Sequence, residues 1–138
     1  MELLEQLVRN HRFTRNRNRK NLGGPTVYYG TRACLVKGHL SNTLREGEIL
    51  DHVRTMLGPQ ISSVCLNKNV QAQRHLDRSN SGSSHVCFFG SFTGGALCLA
   101  DGRRFEGTHQ WHGPFDGATV EHWVEAFEGT RYSVVAFT

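Results

Sequence analysis

The chain has 138 residues, of which 38% are hydrophobic and 20% charged, with 15 glycines and three prolines. That length holds one core and one domain, and the composition excludes a disordered chain and a glycine-poor coiled coil. The formal net charge is +4, and no apolar run approaches the ~18 residues that a membrane span needs, so no membrane partner is expected.

The charge is concentrated at one end. Residues 1–20 carry six basic side chains (Arg9, Arg12, Arg15, Arg17, Arg19 and Lys20) against Glu2 and Glu5, whereas the remaining 118 residues balance. Residues 1–21 therefore read as a basic arm with a short helix over 2–9, and residues 22–138 as the folded domain. An arm of this kind suits phosphate backbones, so residues 9–20 are the expected contact with DNA or RNA; a solvated terminus that aids solubility accounts for the charge equally well. No basic stretch leads into an apolar one, as a secretory signal would require. The four cysteines form no C-x-x-C pair and sit in apolar runs, as in Leu97-Cys98-Leu99. They read as buried thiols of an intracellular protein, nuclear or cytoplasmic.

In chain order, Gly23-Gly24-Pro25 breaks the chain, and Val27 to Val36 reads as a strand from its β-branched and aromatic residues. Ser41 or Thr43 can cap a helix to about Leu57, because Leu44, Ile49, Leu50, Val53 and Leu57 share a helical face that Gly58-Pro59 ends. Beyond Pro59 short apolar runs recur between glycine, serine and asparagine: 61–66, 84–89, 96–99, 103–108, 119–127 and 130–137. Asp101-Gly102 is a hairpin turn signal. Many short strands at regular spacing predict a mainly β sandwich or barrel, preceded by one or two helices.

The final run places Arg131, Ser133, Val135 and Phe137 on one face and Tyr132, Val134 and Ala136 on the other. An arginine facing inward with apolar residues needs an anion, and a bound carboxylate is a natural one. A solvated barrel mouth or a distant acid would serve as well. His75-Leu76-Asp77 sets an imidazole and a carboxylate on the same side of an extended segment. A later histidine would complete a facial set of two histidines and one carboxylate, which leaves open positions on iron(II). Of the later histidines His85 lies too near in sequence. His122 ranks ahead of His112 and His109, because it comes shortly before Arg131 on adjoining strands.

The ordered set Ser63-Val64-Cys65-Leu66-Asn67-Lys68-Asn69, His75-x-Asp77, Asn80-Ser81-Gly82-Ser83-Ser84, Gly90-Ser91-Phe92-Thr93-Gly94-Gly95-Ala96-Leu97, Phe115-Asp116-Gly117, His122 and Gly129-Thr130-Arg131-Tyr132-Ser133 resembles the 2-oxoglutarate and iron(II)-dependent dioxygenases. Within them it is most similar to the TET/JBP-like branch of algal and protist genomes. The resemblance covers about residues 60–138. Ala126 stands where that branch commonly has proline, and His122 to Arg131 is a short spacing for it.

The resemblance implies a double-stranded β-helix (cupin-like jelly roll) and an oxidoreductase that uses dioxygen. It implies His75, Asp77 and His122 as catalytic metal ligands for Fe(II). Arg131 and Ser133 would bind 2-oxoglutarate with Asn67 within reach, and ascorbate would be supportive. The substrate it suggests is a nucleobase methyl group of the 5-methylcytosine or thymine type, hydroxylated in DNA or RNA, with Tyr28, Tyr29, Trp111 or Trp123 available to stack a base. The alternatives are the same chemistry on a protein side chain or small molecule, as in prolyl or lysyl hydroxylases, and a non-catalytic cupin-like binding module.

Overall fold

The computed structural model describes residues 1–11, 13, 25–34, 39–42, 48–78 and 80–138, with the backbone alone for 31–34 and 39–42. The arm residues Arg12, Arg15, Arg17, Arg19 and Lys20, the Gly23-Gly24 break, Val36 and Thr43 lie outside them. No helix of the described residues is long and apolar enough to cross a membrane.

Two helices precede most of the strands. In α1 (Glu2–Arg9) Leu4 and Val8 lie one turn apart and are fully buried, while Glu2 and Glu5 in the first turn and Arg9 in the last complement the helix dipole. In α2 (Glu48–Leu57) Ile49, Leu50 and Val53 are buried. Among the described residues this helix begins at Glu48, and the Thr43 cap and Leu44 lie outside them. Ser41 is not a cap but part of β2 (His39–Asn42), paired antiparallel with β1 (Thr26–Cys34). Helical spacing of apolar residues cannot tell a helix from a strand over so short a lead-in.

The remaining strands are β3 (Ser63–Lys68), β4 (Ser84–Gly94), β5 (Leu97–Leu99), β6 (Arg104–Phe105), β7 (Trp111–Phe115), β8 (His122–Val124) and β9 (Phe127–Phe137). They form a six-stranded sheet in the order β2-β1-β3-β9-β4-β7 and a three-stranded sheet in the order β6-β5-β8. His75 bridges to His122, and with the Val124 amide on the Ala72 carbonyl this lays residues 72–75 along the β8 edge of the smaller sheet. Each sheet thus interleaves strands from distant parts of the sequence, with antiparallel pairing throughout. This is a double-stranded β-helix, extended by β1 and β2 and backed by two helices.

The larger sheet is covered on both faces, and strand alternation decides which side chain goes where. Tyr132, Val134 and Ala136 of β9 and Cys87 and Phe89 of β4 join Leu4, Val8, Ile49, Leu50 and Val53 in the core beneath the helices. Val86 and Phe88 point the other way, into a second core between the sheets with Leu97, Leu99, Phe115, Val124 and the half-buried Val135. Arg131 and Ser133 share the face of Val135, so they too point between the sheets. Cys65, Cys87 and Cys98 are buried, and burial pushes the Cys87 thiol up to about 12.

Candidate metal centre

The His75-x-Asp77 segment runs between β3 and β4, and backbone hydrogen bonds fix it. His75 and His122 exchange both amide–carbonyl bonds at 3.0 Å, and the Asp77 amide donates to the Gly117 carbonyl at 2.7 Å. Three side chains are thereby brought together. One ligand atom each from His75, Asp77 and His122 lies within 4.8 Å of the others. Among the described residues no other group of three histidine, cysteine or acidic side chains meets in this way.

The imidazoles are oriented from behind. The His75 Nδ1 lies 2.6 Å from the Gln73 carbonyl and the His122 Nδ1 2.9 Å from the Val120 carbonyl. A carbonyl accepts only, so each Nδ1 carries a proton and each Nε2 is the nitrogen turned to the shared point, where it donates to Asp77 in the metal-free chain and would ligate once that proton leaves. Both Nε2 atoms face the carboxylate, His122 at 3.0 Å from Oδ2 and His75 at 3.5 Å from Oδ1. Burial alone would raise the Asp77 pKa, but hydrogen bonds from His122 and His75 outweigh it and hold the carboxyl well below its ordinary range. The group is ionised at neutral pH. Two imidazole nitrogens and one carboxylate, converging from the 75–77 segment and β8, are a donor set for a divalent transition metal such as iron(II) that takes the place of the Nε2 protons.

Gly117 closes the base of this group. A Cβ built there would lie 3.2 Å from Asp77 Oδ2 and 3.5 Å from His122 Cε1. Its carbonyl also holds the Asp77 amide. The sequence shows Phe115-Asp116-Gly117 only as a turn; nothing in its pattern reports that the glycine abuts a carboxylate. The other histidines are occupied elsewhere. His112 stacks on Phe105 with its Nε2 2.8 Å from the Gly107 carbonyl, and His109 contacts Glu5 of α1 at 3.0 Å. His85 lies on β4, where burial lowers its pKa.

The second feature is Arg131, only 2% exposed. Its Nε donates to the Gly95 carbonyl at 3.0 Å and its Nη1 to the Val70 carbonyl at 3.4 Å. The Nη2 is buried with no hydrogen-bond partner among the described residues. The guanidinium carbon lies 4.8 Å from the centre of the Phe88 ring, 5.7 Å from that of Phe127 and 5.9 Å from that of Phe92. Burial pulls the Arg131 pKa down to about 10, still far above neutrality. A charged group is thus held in an apolar setting with one edge unsatisfied, which is unfavourable unless an anion completes it.

Gly95 and Asn69 hold this arginine in place. A Cβ on Gly95 would lie 3.0 Å from the Arg131 Cδ and Nε, and the residue has a φ of +75°. Asn69, with a φ of +54°, donates its amide to the Arg131 carbonyl at 2.7 Å. Its Oδ1 accepts the Arg131 amide at 2.8 Å. Gly95→Ala should lower the affinity for any anion bound at Arg131 more than it lowers thermal stability. A stability loss with unchanged anion affinity would contradict this.

Ser133 and Asn67 face each other across β9 and β3. The Asn67 Nδ2 donates to Ser133 Oγ at 3.0 Å. Of the four aromatics, Tyr29 lies in the core under the helices and Trp111 packs against that core. Tyr28 meets Phe137 edge-on, and Trp123 lies under Arg74 at 4.7 Å. Trp123 points away from the centre, because its strand neighbours His122 and Val124 are the buried ones.

No family model matches the chain, and no curated protein does. Among solved structures, it is similar to NgTET1 in complex with 5mC DNA, with a TM-score of 0.57 and 16% identity over 99% of this chain and 67% of that one. It is also similar to an oxidoreductase of the 2OG-Fe(II) oxygenase family from Burkholderia pseudomallei, with a TM-score of 0.52 and 16% identity over 99% of this chain and 76% of that one. At this level of identity the likeness is one of fold: the jelly roll seen here is the fold of 2-oxoglutarate oxygenases.

Proposed function

We propose that the protein is an Fe(II)- and 2-oxoglutarate-dependent dioxygenase that hydroxylates a substrate C–H bond. The observation that carries this reading is the convergence of His75, Asp77 and His122 within 4.8 Å, with both histidines turned so that Nε2 faces the shared point. When bound there, iron(II) would supply oxidative decarboxylation of 2-oxoglutarate by dioxygen, giving succinate, carbon dioxide and the oxidising power for hydroxylation.

The chain's own residues would do the binding and the orienting. Asp77 supplies the one negative charge among the three ligands. The Gln73 and Val120 carbonyls keep the imidazoles in the tautomer that can ligate. The Arg131 Nη2 is the partner for the distal carboxylate of 2-oxoglutarate, since a buried cation and a carboxylate each relieve the other's desolvation. Phe88, Phe92 and Phe127 exclude water from that contact. Succinate formation with iron, 2-oxoglutarate and ascorbate, compared across methylated DNA, methylated RNA and peptide pools, tests both the chemistry and the substrate. Peptides alone stimulating turnover would move the substrate to a protein side chain.

For the substrate we favour a nucleobase methyl group. The similar NgTET1 structure contains 5mC DNA, and the arm supplies the charge to hold a phosphate backbone. A paired base cannot reach a centre between two sheets, so the nucleotide would be flipped out or single-stranded. Arg9 is engaged, 3.1 Å from Glu5 and over the Tyr132 ring; the other basic residues of the arm are Arg12, Arg15, Arg17, Arg19 and Lys20. Because α1 is part of the core, the arm is better tested by charge than by deletion. Changing those five to glutamine should flatten the slope of log K against log salt on duplex by up to about 4.5. Turnover of 2-oxoglutarate without substrate should be unaffected. Nucleic-acid binding with an unchanged salt slope would reduce the arm to a solubilising segment.

A further inference from the structure

The Ser133 hydroxyl has one proton, and where that proton points decides what the hydroxyl can recognise. Asn67 settles the question, since its carboxamide can present either an N–H donor or a carbonyl acceptor to Ser133. Two groups sit on the Asn67 Oδ1. The Thr26 hydroxyl of β1 donates to it at 2.8 Å and the Cys65 thiol at 3.6 Å. With Oδ1 engaged on that side, the Nδ2 faces Ser133 and donates to its Oγ at 3.0 Å. The Ser133 proton is then free of Asn67, on the strand face it shares with Arg131.

All three side chains are at least nine-tenths buried: Thr26 is 4% exposed, Asn67 9% and Ser133 4%. Thr26 and Asn67 are cross-strand partners on β1 and β3, and Asn67 and Ser133 are partners on β3 and β9. The chain of donors thus runs across three adjacent strands in register. Turning the Asn67 amide over would let the Thr26 oxygen accept an Asn67 N–H but would take Oδ1, the acceptor, away from the Thr26 and Cys65 protons, and at buried side chains that loss is unfavourable.

We propose that Thr26 is a positioning residue of the co-substrate pocket: its hydroxyl holds the Asn67 carboxamide with Nδ2 on Ser133, which leaves the Ser133 proton for the pocket and favours a ligand that presents an acceptor there. The inference rests on the 2-oxoglutarate reading and names how that pocket tells a carboxylate from an amide. A carboxylate accepts from both Ser133 and Arg131. A carboxamide in its place must turn an N–H₂ toward one of two donors.

The test compares binding of 2-oxoglutarate and of its 5-amide to the intact chain by calorimetry, in the wild type and in Thr26→Val, Thr26→Ser and Arg131→Ala. The valine keeps the β-branched shape and removes only the hydroxyl. The wild type should bind the diacid and discriminate against the amide. Thr26→Val frees Asn67 to turn, so affinity for the diacid should fall about 10-fold and the discrimination should shrink, because Ser133 can then accept. Thr26→Ser should restore both. A purely structural role would lower thermal stability while leaving the acid-to-amide ratio unchanged, and that result overturns the inference alone. Failure of the wild type to bind 2-oxoglutarate, or binding that Arg131→Ala does not weaken, overturns the functional reading and the inference with it.

Discussion

Asp77→Ala is expected to abolish 2-oxoglutarate turnover and to lower iron affinity by more than about 100-fold. Groups that only orient a metal ligand typically contribute 10- to 100-fold in affinity, so loss of a ligand should exceed that range. Asp77 is also the sole anion of the three and cannot be replaced electrostatically by either histidine. The fold should survive. Asp77 is held through its backbone amide by the Gly117 carbonyl, a bond that alanine keeps. Its side chain is about one-third exposed, so its contacts with His75 and His122 stabilise the metal-free chain by only about 1 kcal/mol or less. Metal titration beside a thermal melt separates the two effects. Retained iron affinity in a folded Asp77→Ala protein would exclude the carboxylate as a ligand. Loss of iron binding in His112→Ala but not in His122→Ala would reassign the second histidine.

Replacing Arg131 should separate ligand affinity from stability. Loss of the buried charged contact should weaken 2-oxoglutarate binding by roughly 2–4 kcal/mol, or about 30- to 1,000-fold. The unliganded chain should respond differently. Its guanidinium lies between three phenylalanine rings with Nη2 unpaired among the described residues and has a pKa depressed by burial alone. An apolar side chain of similar length removes that desolvation, and replacements of buried charges are often neutral or stabilising. Arg131→Met should therefore melt no lower than the wild type without ligand, while losing the rise in melting temperature that 2-oxoglutarate gives the wild type. An undiminished response to 2-oxoglutarate would remove Arg131 from the pocket.

Most strands after Pro59 were legible because their side chains follow the twofold alternation of a sheet buried on both faces. Arg131 and Ser133 could be assigned to the interior from Val135 and Phe137 alone. β7 was not legible. Its residues, Trp111-His112-Gly113-Pro114-Phe115, carry a glycine–proline pair that reads as a turn, and only its position at the sheet edge beside β4 makes proline tolerable there.

The site divides in the same way. His75 and Asp77 are candidates from a spacing that gains weight only with a later histidine, and His122 is that candidate by its place before the arginine strand; the structure brings the three together. Thr26, Asn69, Gly95 and Gly117 do not, because what each does depends on a group tens of residues away: Thr26 on Asn67, Asn69 and Gly95 on Arg131, Gly117 on Asp77. Such contacts are set by register between distant strands, which no local pattern encodes.

The most direct test of the account is succinate formation from 2-oxoglutarate by the intact chain with iron(II) in air, run beside Asp77→Ala. The account predicts slow succinate release by the wild type even without substrate, faster release with the right substrate, and none from the variant. A folded, iron-loaded wild type that forms no succinate under any of the substrate pools, or an Asp77→Ala protein that forms as much as the wild type, would contradict it.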